Sequence, residues 1–550
     1  MTARTPAARL TGVRKMLGRR PVLEALDLTL DTGVVTALIG PNGAGKTTTV
    51  SLLTGRLSPD AGTVRLFNLD PRRAEARGRM GVMLQAAGLP DVLTVRELVM
   101  LHTGYYHHPL SLSETLSLAG LAELADCRCG ALSGGQVRRV QYALAICGRP
   151  DLFMLDEPTA AMDREAARGL WRTVRGVADR GGAVLLTSHD LAEADALADR
   201  VVVMAGGRIV ADDTPAAIRA RAGGSVIRCR GRMTPAVASA LPGAREAATE
   251  GRNYASSAAM RPPRYARCSM TIRPFPRCAS PTPRWKTPLP PCSHPTEGSP
   301  HDRLHSSPGV WRREALVEVK RSLRLPQFLL PTVLTPAAFY GLFTLAIAKA
   351  PSPVAAAASL AGYGVFAAIG PALFGFGAGV AMEREQGLIE LKRVSPMPAS
   401  AYVIAKLAAA VLATAMAVIA IDLLAIVAGV RLSPANWVAL TALHLASAVP
   451  FALIGFGIGM RMSGKGAVAV ANALFLGSAV LGGLWIPSAM LPAWMRGIGE
   501  ATPAYHLGQI ARSIVGADTI GSLEVHGVMT VAMTGVAALW AWTGWRRSPA

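Results

Sequence analysis

The sequence has few charged and few aromatic side chains for a chain of 550 residues. Asp, Glu, Lys and Arg make up 17% of it and Phe, Trp and Tyr only 5%, whereas 51% of the residues are hydrophobic. The net charge of +21 would fit a nucleic-acid partner, but no basic helix with stacking aromatic residues accompanies it. We therefore expect no nucleic-acid partner, and the length indicates more than one domain.

Cysteine is also scarce. The seven cysteines all lie at or before Cys292, and none has the spacing of a strong metal site. The nearest pattern, Cys127-x-Cys129, is more simply explained by reduced thiols. The N-terminus lacks the apolar run of a secretory signal. The front half of the chain is accordingly expected to stay in the cytosol.

A glycine-rich loop follows a predicted buried strand. Val34–Ile39 is a short apolar, β-branched run, and the residues after it match the phosphate-binding pattern G-x-x-x-x-G-K-[ST]. Loop N–H groups and the N-terminal end of the next helix favour phosphate oxygens. Lys46 is expected to reach the β- and γ-phosphates of ATP, and Thr47 to bind Mg²⁺. The predicted nucleotide-binding residues are Gly40, Pro41, Asn42, Gly43, Ala44, Gly45, Lys46, Thr47 and Thr48.

A pair of acids ends a second apolar strand. Asp156 and Glu157 directly follow the run Leu152–Leu155. Asp156 is expected to share Mg²⁺ with Thr47 through water, and Glu157 to polarise the water that attacks ATP. Adjacent buried acids have little structural use without a metal or a substrate, so the sequence predicts an ATPase that uses ATP and Mg²⁺.

Four further short motifs follow the order and spacing of one protein family. They are Gln85 in Gly81–Gln85, the segment Leu132–Gln136, the segment Ala161–Asp163, and His189 in Leu186–Asp190. Together with the glycine-rich loop they resemble the Q-loop, signature, D-loop and H-loop of the ABC transporter ATPases. The resemblance implies an α/β P-loop ATPase domain with an α-helical signature subdomain.

The same resemblance implies a head-to-tail homodimer, with ATP between the glycine-rich loop of one copy and the signature of the other. Gln85, Glu157 and His189 would be catalytic. Gln85 would also bind Mg²⁺ together with Thr47 and Asp156. The further residues that would contact ATP are Ser133, Gly134, Gly135, Gln136 and Asp163.

One position departs from the family pattern. An aromatic residue usually stacks on adenine just before the first glycine of the N-terminal hairpin, and Leu17, before Gly18, holds that place. A leucine covers the ring without the stacking contribution, which is on the order of 1 kcal/mol. We expect weaker adenine selectivity without loss of function.

The back half is a series of long apolar runs, each near the roughly 20 residues that cross a bilayer. The runs are Phe328–Ala348, Ala355–Val380, Leu407–Val427, Trp437–Met460, Ala467–Trp485 and Val525–Trp542. Arginine and lysine precede the first run, follow the second and fourth, and end the chain. We therefore predict an all-α membrane domain of about six transmembrane helices in the inner (plasma) membrane, with both termini and the ATPase domain in the cytoplasm.

Two segments between these runs resemble the type 2 ABC permeases. Glu383–Pro396 resembles their cytoplasmic loop, a charged docking surface that would touch the ATPase near Gln85; a generic loop is the alternative. Pro487–Ala517 resembles their outward-facing helical hairpin. Ionisable groups at membrane depth are costly, so Asp422 is a candidate pathway residue unless it lies at the outer interface, and His444 is a weaker one.

The segment between the two halves resembles neither. Residues 252–307 are rich in Pro, Arg, Ser and Cys and lack periodicity, which predicts a disordered linker. A second hypothesis comes from the genetic code. Suppose that each codon is read starting from its third base. The last base of the Met270 codon and of the Trp285 codon, joined to the first two bases of the next codon, then encodes an acidic residue in each case. The amino-acid string that this second frame permits around Trp285 resembles the C-terminal ending of ABC exporter ATPases. A frame change near Asn253–Tyr254 would then join two neighbouring genes, with the permease starting afresh around Trp311.

These observations predict four parts: an ABC ATP-binding domain at 1–225, a truncated accessory region at 226–252, the linker at 253–308 and the permease domain at 309–550. The predicted function is ATP-driven export of a drug-like, lipid or other amphipathic substrate. The expected partners are a second copy, membrane lipids and the substrate. An ATP-gated regulator that moves no solute and an inactive fusion of two genes stay open, whereas a soluble ABC ATPase would have two cassettes and no spans.

Overall fold

The structure is a computed structural model that describes residues 6–85, 87–159, 162, 164–188, 191–222, 225–229, 244–250, 253–258, 308–347 and 352–547. The strands are β1 (Pro6–Leu17), β2 (Arg20–Asp31), β3 (Val35–Ile39), β4 (Ala61–Leu66), β5 (Met80–Met83), β6 (Leu152–Asp156), β7 (Ala183–Ser188), β8 (Arg200–Ala205), β9 (Arg208–Asp213), β10 (Ser225–Cys229), β11 (Ala244–Glu250) and β12 (Asn253–Ala258). The helices of the front half are α1 (Lys46–Leu53), α2 (Ala74–Gly78), α3 (Val95–Thr103), α4 (Leu112–Leu118), α5 (Gly134–Ile146), α6 (Arg164–Asp179), α7 (Leu191–Leu197) and α8 (Pro215–Ala222).

The central sheet has the order β5-β6-β7-β3-β8-β9 and is parallel except for β9, which runs antiparallel to β8. Every residue of β3, β6 and β7 is buried, as expected for parallel strands covered on both faces. The register pairs Ile39 with Ser188 and Asp156 with Thr187. The carboxyl ends of these three strands therefore meet at one edge, where ligands bind in open α/β sheets.

A smaller antiparallel sheet, β2-β1-β4, flanks the central sheet, and α3, α4 and α5 form a helical layer on its other side. This helical layer carries the signature segment at the start of α5. The predicted α/β ATPase fold with a helical subdomain is confirmed.

A third sheet lies around the expected start of the linker. Strands β10, β11 and β12 pair antiparallel in the order β10-β12-β11, with Glu250 opposite Asn253. The sheet thus extends to Ala258, past the boundary expected at 253. The missing periodicity of residues 252–307 did not reveal β12. The predicted linker and frame-change segment from 259 to 307 lies outside the described residues.

The back half is helical. Its helices are α9 (Pro308–Leu323), α10 (Pro326–Tyr340), α11 (Pro353–Ala372), α12 (Gly379–Glu385), α13 (Leu388–Val394), α14 (Ala399–Val427), α15 (Pro434–Ala446), α16 (Ala448–Gly459), α17 (Gly464–Leu481), α18 (Ala493–Glu500), α19 (Pro503–Ile514) and α20 (Leu523–Arg547). The segments Gly341–Ile347 and Leu373–Ala378 continue α10 and α11 as wider, π-helical coil.

Within the described residues, six helical segments are long and apolar enough to cross a membrane. They are Leu329–Ile347, Pro353–Glu385, Ala399–Val427, Pro434–Gly459, Gly464–Leu481 and Leu523–Trp545. The prediction of about six spans is confirmed. The second span is the central one, because 78% of its most apolar window is buried by the rest of the protein. Helices α18 and α19 form a helical pair within Pro487–Ala517, as predicted.

The two membrane-depth candidates have different surroundings. Asp422 is partly buried near the C-terminal end of the third span. His444 is fully buried, and a Cβ on Gly364 of the second span would lie 2.0 Å from its Cε1 atom. The imidazole of His444 therefore fills space that a glycine leaves between two helices, which is a packing role. The pathway role of Asp422 stays a prediction.

Candidate active site

The glycine-rich loop closes tightly around the start of α1. Gly45 has a φ of +103° and caps the helix, and a Cβ there would lie 2.6 Å from the Leu23 side chain. A Cβ on Gly40 would lie 2.3 Å from the carbonyl oxygen of Met204. Both positions thus exclude larger residues. A Cβ on Gly43 would meet nothing within 4 Å, so the loop is open to solvent there.

Lys46 and Thr47 take different positions at the first turn of α1. Lys46 is 7% exposed, and its Nζ donates to the carbonyl oxygens of Gly40 at 2.6 Å and Pro41 at 3.2 Å. Its ammonium group thus lies against the glycine-rich loop, where it is predicted to bind the ATP phosphates. Thr47 is exposed, so its hydroxyl is accessible to an ion.

Asp156 and Glu157 stand at the carboxyl end of β6. Asp156 is buried and accepts a hydrogen bond from the Thr187 hydroxyl. Burial raises the pKa of Asp156, and the neighbouring Glu157 carboxylate acts in the same direction. A cation beside Asp156 would relieve both effects.

Glu157 has an unusual backbone. Its φ is +47°, in the left-handed region that a residue with a side chain rarely adopts, and its N–H donates to the carbonyl oxygen of Thr187 at 3.2 Å. Gln85 Nε2 donates to Glu157 Oε2 at 3.0 Å. A strained backbone conformation of this kind persists only where contacts with the surrounding structure hold it in place, and it is frequent at catalytic sites.

The donor atoms of this site suit Mg²⁺. Thr47 offers a hydroxyl, Asp156 a carboxylate whose raised pKa favours a nearby cation, and Gln85 an amide oxygen left over when its Nε2 donates to Glu157. Hydroxyl, carboxylate and amide oxygens are the hard ligands that Mg²⁺ prefers. These residues fit the metal that the motifs imply.

The signature segment caps α5. The Ser133 hydroxyl accepts from the Gln136 N–H at 3.4 Å, and Gln136 Oε1 accepts from the Ser133 N–H at 2.8 Å. Ser133 and Gly134 are exposed, and a Cβ on Gly134 would meet nothing within 4 Å. The helix start therefore faces open space, as a site completed by a second copy requires.

Sequence reasoning missed Arg138, on the second turn of α5. Its guanidinium is buried and donates to the carbonyl oxygens of Leu84 at 2.9 Å and Gln85 at 3.2 Å, and to that of Glu157. It also donates to Gln141 Oε1 at 2.9 Å, and Gln141 donates to the Ala87 carbonyl oxygen. Arg138 thus joins the signature helix to the backbone of both Gln85 and Glu157. Its position five residues after Ser133 on the signature helix is the only hint in the sequence.

Three other predicted residues make no described contact with the site. His189 and Asp163 lie outside the described residues. Leu17 is 47% exposed at the end of β1, so it is available to cover a ring but is not fixed by packing.

The loop predicted to dock on the ATPase does so through a short helix. Gly88 lies three residues after Gln85 in the chain. Its N–H donates to the carbonyl oxygen of Gln386 at 2.7 Å. Leu391 of α13 belongs to the core formed with α3, α4 and α5, and Val394 belongs to the core on the other face of the central sheet. The expected contact near Gln85 is confirmed.

One charge of the expected docking surface does not face the ATPase half. Glu383 is 3% exposed at the end of the second span, where it binds Arg321, Lys406 and the Tyr402 hydroxyl, the last at 2.7 Å. This carboxylate is therefore used within the membrane domain.

Helix α13 makes both apolar and polar contacts with the ATPase half. Leu391 and Val394 pack in its cores. Glu390 lies 3.7 Å from Arg56, and the Arg393 carbonyl oxygen accepts from Arg77 at 2.8 Å.

A second contact joins α3 to the helices that precede the first span. Glu97 accepts from both terminal nitrogens of Arg324, at 2.7 and 3.0 Å, and from Lys320. The Tyr105 hydroxyl donates to Glu314, which also accepts from Lys392 Nζ at 2.8 Å. The nucleotide-binding half is thus attached to the membrane half at two places.

Comparison with known proteins matches each half separately. The family model described as "ABC transporter" matches residues 23–160, and that described as "ABC-2 type transporter" matches residues 311–515. The chain is 38% identical over 213 residues to the Nod factor export ATP-binding protein I of Paraburkholderia xenovorans, which is 38% of this chain and 70% of that protein. It is 37% identical over 236 residues to the daunorubicin/doxorubicin resistance ATP-binding protein DrrA of Streptomyces peucetius, which is 42% of this chain and 72% of that protein. A solved ATP binding subunit of an ABC transporter is 26% identical with a TM-score of 0.37, covering 40% of this chain and 94% of that one.

Proposed function

Because the chain belongs to the ABC transporter family, with its ATPase and its type 2 membrane domain in one polypeptide, we propose that it exports an amphipathic substrate. The relatives' names refer to Nod factor export and to daunorubicin resistance, which supports the direction of transport. The six spans have few charged residues, which suits an amphipathic substrate better than a polar one.

The observation that carries the proposal is the placement of α13. Its residues lie in the hydrophobic cores of both halves, since Ile389 packs in the membrane core while Leu391 packs in the ATPase core. The same segment is hydrogen-bonded to Gly88, close to Gln85. A change at Gln85 on ATP binding or hydrolysis would therefore move an element that is embedded in the membrane domain.

We assign roles to the site residues with the support of the geometry and the family. Lys46 and the glycine-rich loop bind the ATP phosphates, and Glu157, held by Gln85, polarises the attacking water. Mg²⁺ supplies charge neutralisation of the phosphates when it is bound by Thr47 and Asp156. The exposed signature at Ser133 completes the ATP site of a second copy in a head-to-tail homodimer. Asp163 and His189 are assigned to the site by their motifs alone.

The orientation is part of the proposal. The ATPase half, α9 and α13 lie on one side of the spans, and Arg324 and Lys392 lie on that same side. Basic residues favour the cytoplasmic side of a membrane. We place the ATPase and both termini in the cytoplasm and the chain in the inner (plasma) membrane.

The test is ATP-dependent uptake into proteoliposomes that contain the full chain with its ATPase outside. Daunorubicin and a fluorescent phospholipid are the amphipathic probes, and sucrose is the polar control. We expect uptake of at least one amphipathic probe, with stimulation of ATP hydrolysis by the same probe. Hydrolysis that no probe changes, without uptake, would favour a membrane regulator that moves no solute.

A further inference from the structure

A cavity of about 320 Å³ lies between the two halves of the protein, away from the glycine-rich loop. One wall consists of residues 54–56 and 58, which follow α1, together with Arg72 and Arg77. The opposite wall consists of α13, the start of α14 and Trp545 at the end of the sixth span. The volume lies in the range of small-molecule pockets, about 300–1,000 Å³. The cavity meets the far end of α1, roughly 12 Å from the helix start that carries Lys46.

The cavity is lined by cations. Among the described residues that line it, none is acidic and five are basic: Arg56, Arg72, Arg77, Lys392 and Arg393. The carboxylates that form ion pairs with these cations stand behind the lining; they are Glu390, Asp70 and Glu314. Three carboxylates thus partner four of the five cations, which leaves an excess of positive charge around the space.

Three of these guanidinium groups lose hydration that the protein only partly replaces. Burial lowers the pKa of Arg56 and Arg393 although both lie near Glu390, and it lowers the pKa of Arg77 although Glu75 is near. The Nε atom of Arg77 is buried and has no hydrogen-bond partner among the described residues. An anion in the cavity would restore interactions that these groups lack.

The membrane-side wall is amphipathic. Besides Lys392 and Arg393 it presents the apolar side chains of Ile389, Met397 and Trp545. The Arg393 guanidinium lies 4.9 Å from the centroid of the Trp545 ring. Tryptophan at the end of a span is typical of the headgroup level of a bilayer, and basic pockets between cytoplasmic helix ends bind anionic headgroups.

We propose that this cavity binds the phosphate group of an anionic phospholipid from the adjacent leaflet. Arg77 and Arg393 hold the phosphate, and the partly exposed ring of Trp545 contacts the first acyl-chain carbons. A soluble phosphate would satisfy the same cations but would leave the accessible part of the Trp545 ring uncovered, which favours the lipid. The lining residues 54–56 directly follow α1. The bound lipid therefore lies at the far end of the helix that begins at the nucleotide-binding loop. This site is independent of the transported substrate.

The experiment measures lipid retention by the detergent-solubilised full chain, using native mass spectrometry. Dioleoyl phosphatidylglycerol, dioleoyl phosphatidylcholine and inorganic phosphate are the probes. We expect retention of phosphatidylglycerol over phosphatidylcholine, without displacement by inorganic phosphate. Arg77→Gln should weaken phosphatidylglycerol binding about fivefold, the effect of one cation near a headgroup. Arg77→Lys should restore most of it, and Arg9→Gln, on the exposed face of β1, should change nothing.

Two results would overturn the proposal. One is equal retention of the two lipids together with unchanged binding in Arg77→Gln. The other is displacement of phosphatidylglycerol by inorganic phosphate, which would make the ligand a soluble anion. If Arg77→Gln fails to fold, Arg72→Gln decides the matter, because the Arg72 side chain is 63% exposed at the rim and its loss leaves packing intact. No step depends on ATP turnover, so failure here is distinct from failure of the transport proposal.

Discussion

Single side chains at the nucleotide site show what short motifs can and cannot predict. The motifs placed Lys46, Asp156 and Glu157 at one sheet edge, because strand–loop spacing determines where loops emerge. The φ of +47° at Glu157 and the contacts of Arg138 depend on how α5 packs against the loops after β5 and β6. Such contacts join residues far apart in the chain, and no local pattern encodes them.

Arg138 should be necessary for turnover. Arg138→Met removes the donors that hold the backbone of Gln85 and Glu157, and hydrogen bonds from charged groups contribute about 1.5–3 kcal/mol each. We expect ATP hydrolysis to fall about 10- to 100-fold, with ATP binding largely kept. Arg139→Met is the matched control on the same helix. Turnover by Arg138→Met equal to that of the control would refute this role.

Glu97 should give the attachment of the two halves a defined pH dependence. Burial alone would raise the pKa of the Glu97 carboxyl, but hydrogen bonds from Arg324 and Lys320 outweigh it and hold that pKa at about 2. The folded pKa is below the unfolded value of 4.5, so the stabilisation is complete above that value. It is lost as the pH falls from there towards the folded value.

The matching variant is Glu97→Gln, which keeps the helix cap that Glu97 forms with Thr94 but removes the charge. We expect a lower thermal unfolding midpoint for Glu97→Gln at pH 7, with a difference from the wild type that is constant down to about pH 5 and narrows below it. Glu114→Gln, the same substitution in the equivalent cap of α4, is the control. A difference that grows on acidification would contradict the assigned ion pairs.

At the scale of elements, run length predicted two of the buried strands and the membrane spans. Strands β3 and β6 are short, mostly apolar runs, and the six spans follow from length and composition alone. The third sheet was not predicted, because its strands are short and mostly polar and are stabilised by pairing with one another. The apolar part of the docking contact was also not predicted, since the charges around α13 dominate its sequence.

The closeness of α13 to the ATPase can be tested with two glycines. A Cβ on Gly88 would lie 2.3 Å from the carbonyl oxygen of Gln386, so Gly88→Ala must displace backbone. A Cβ on Gly78 would meet only the Pro396 side chain at 4.0 Å, an ordinary contact. We expect Gly88→Ala to reduce ATP-driven uptake strongly while ATP binding persists, and Gly78→Ala to leave both unchanged. Equal uptake by the two variants would mean that this contact does not couple ATP hydrolysis to transport.

At the scale of the whole molecule, the proposed head-to-tail dimer predicts that the open signature serves the ATP site of a second copy. Gly134→Asp places a carboxylate in free space where the phosphates of the partner's ATP would lie, and Lys46→Ala removes a phosphate ligand. Each variant alone should be inactive. Mixing them should restore hydrolysis, because one of the two composite sites then has an intact loop and an intact signature. Absence of any recovery in proven mixed dimers would exclude the head-to-tail arrangement.

The most direct test of the central claim, that this single chain is an ATP-driven transporter, compares ATP hydrolysis by the reconstituted wild type and Glu157→Gln. Loss of the water-polarising carboxylate should leave ATP binding intact and reduce turnover by about 10²- to 10⁴-fold. That result would also show that two copies still meet despite the segment between the halves. Equal hydrolysis by both proteins would contradict the assignment of Glu157. ATP binding without hydrolysis in either would contradict the transporter itself and favour an inactive fusion of two genes.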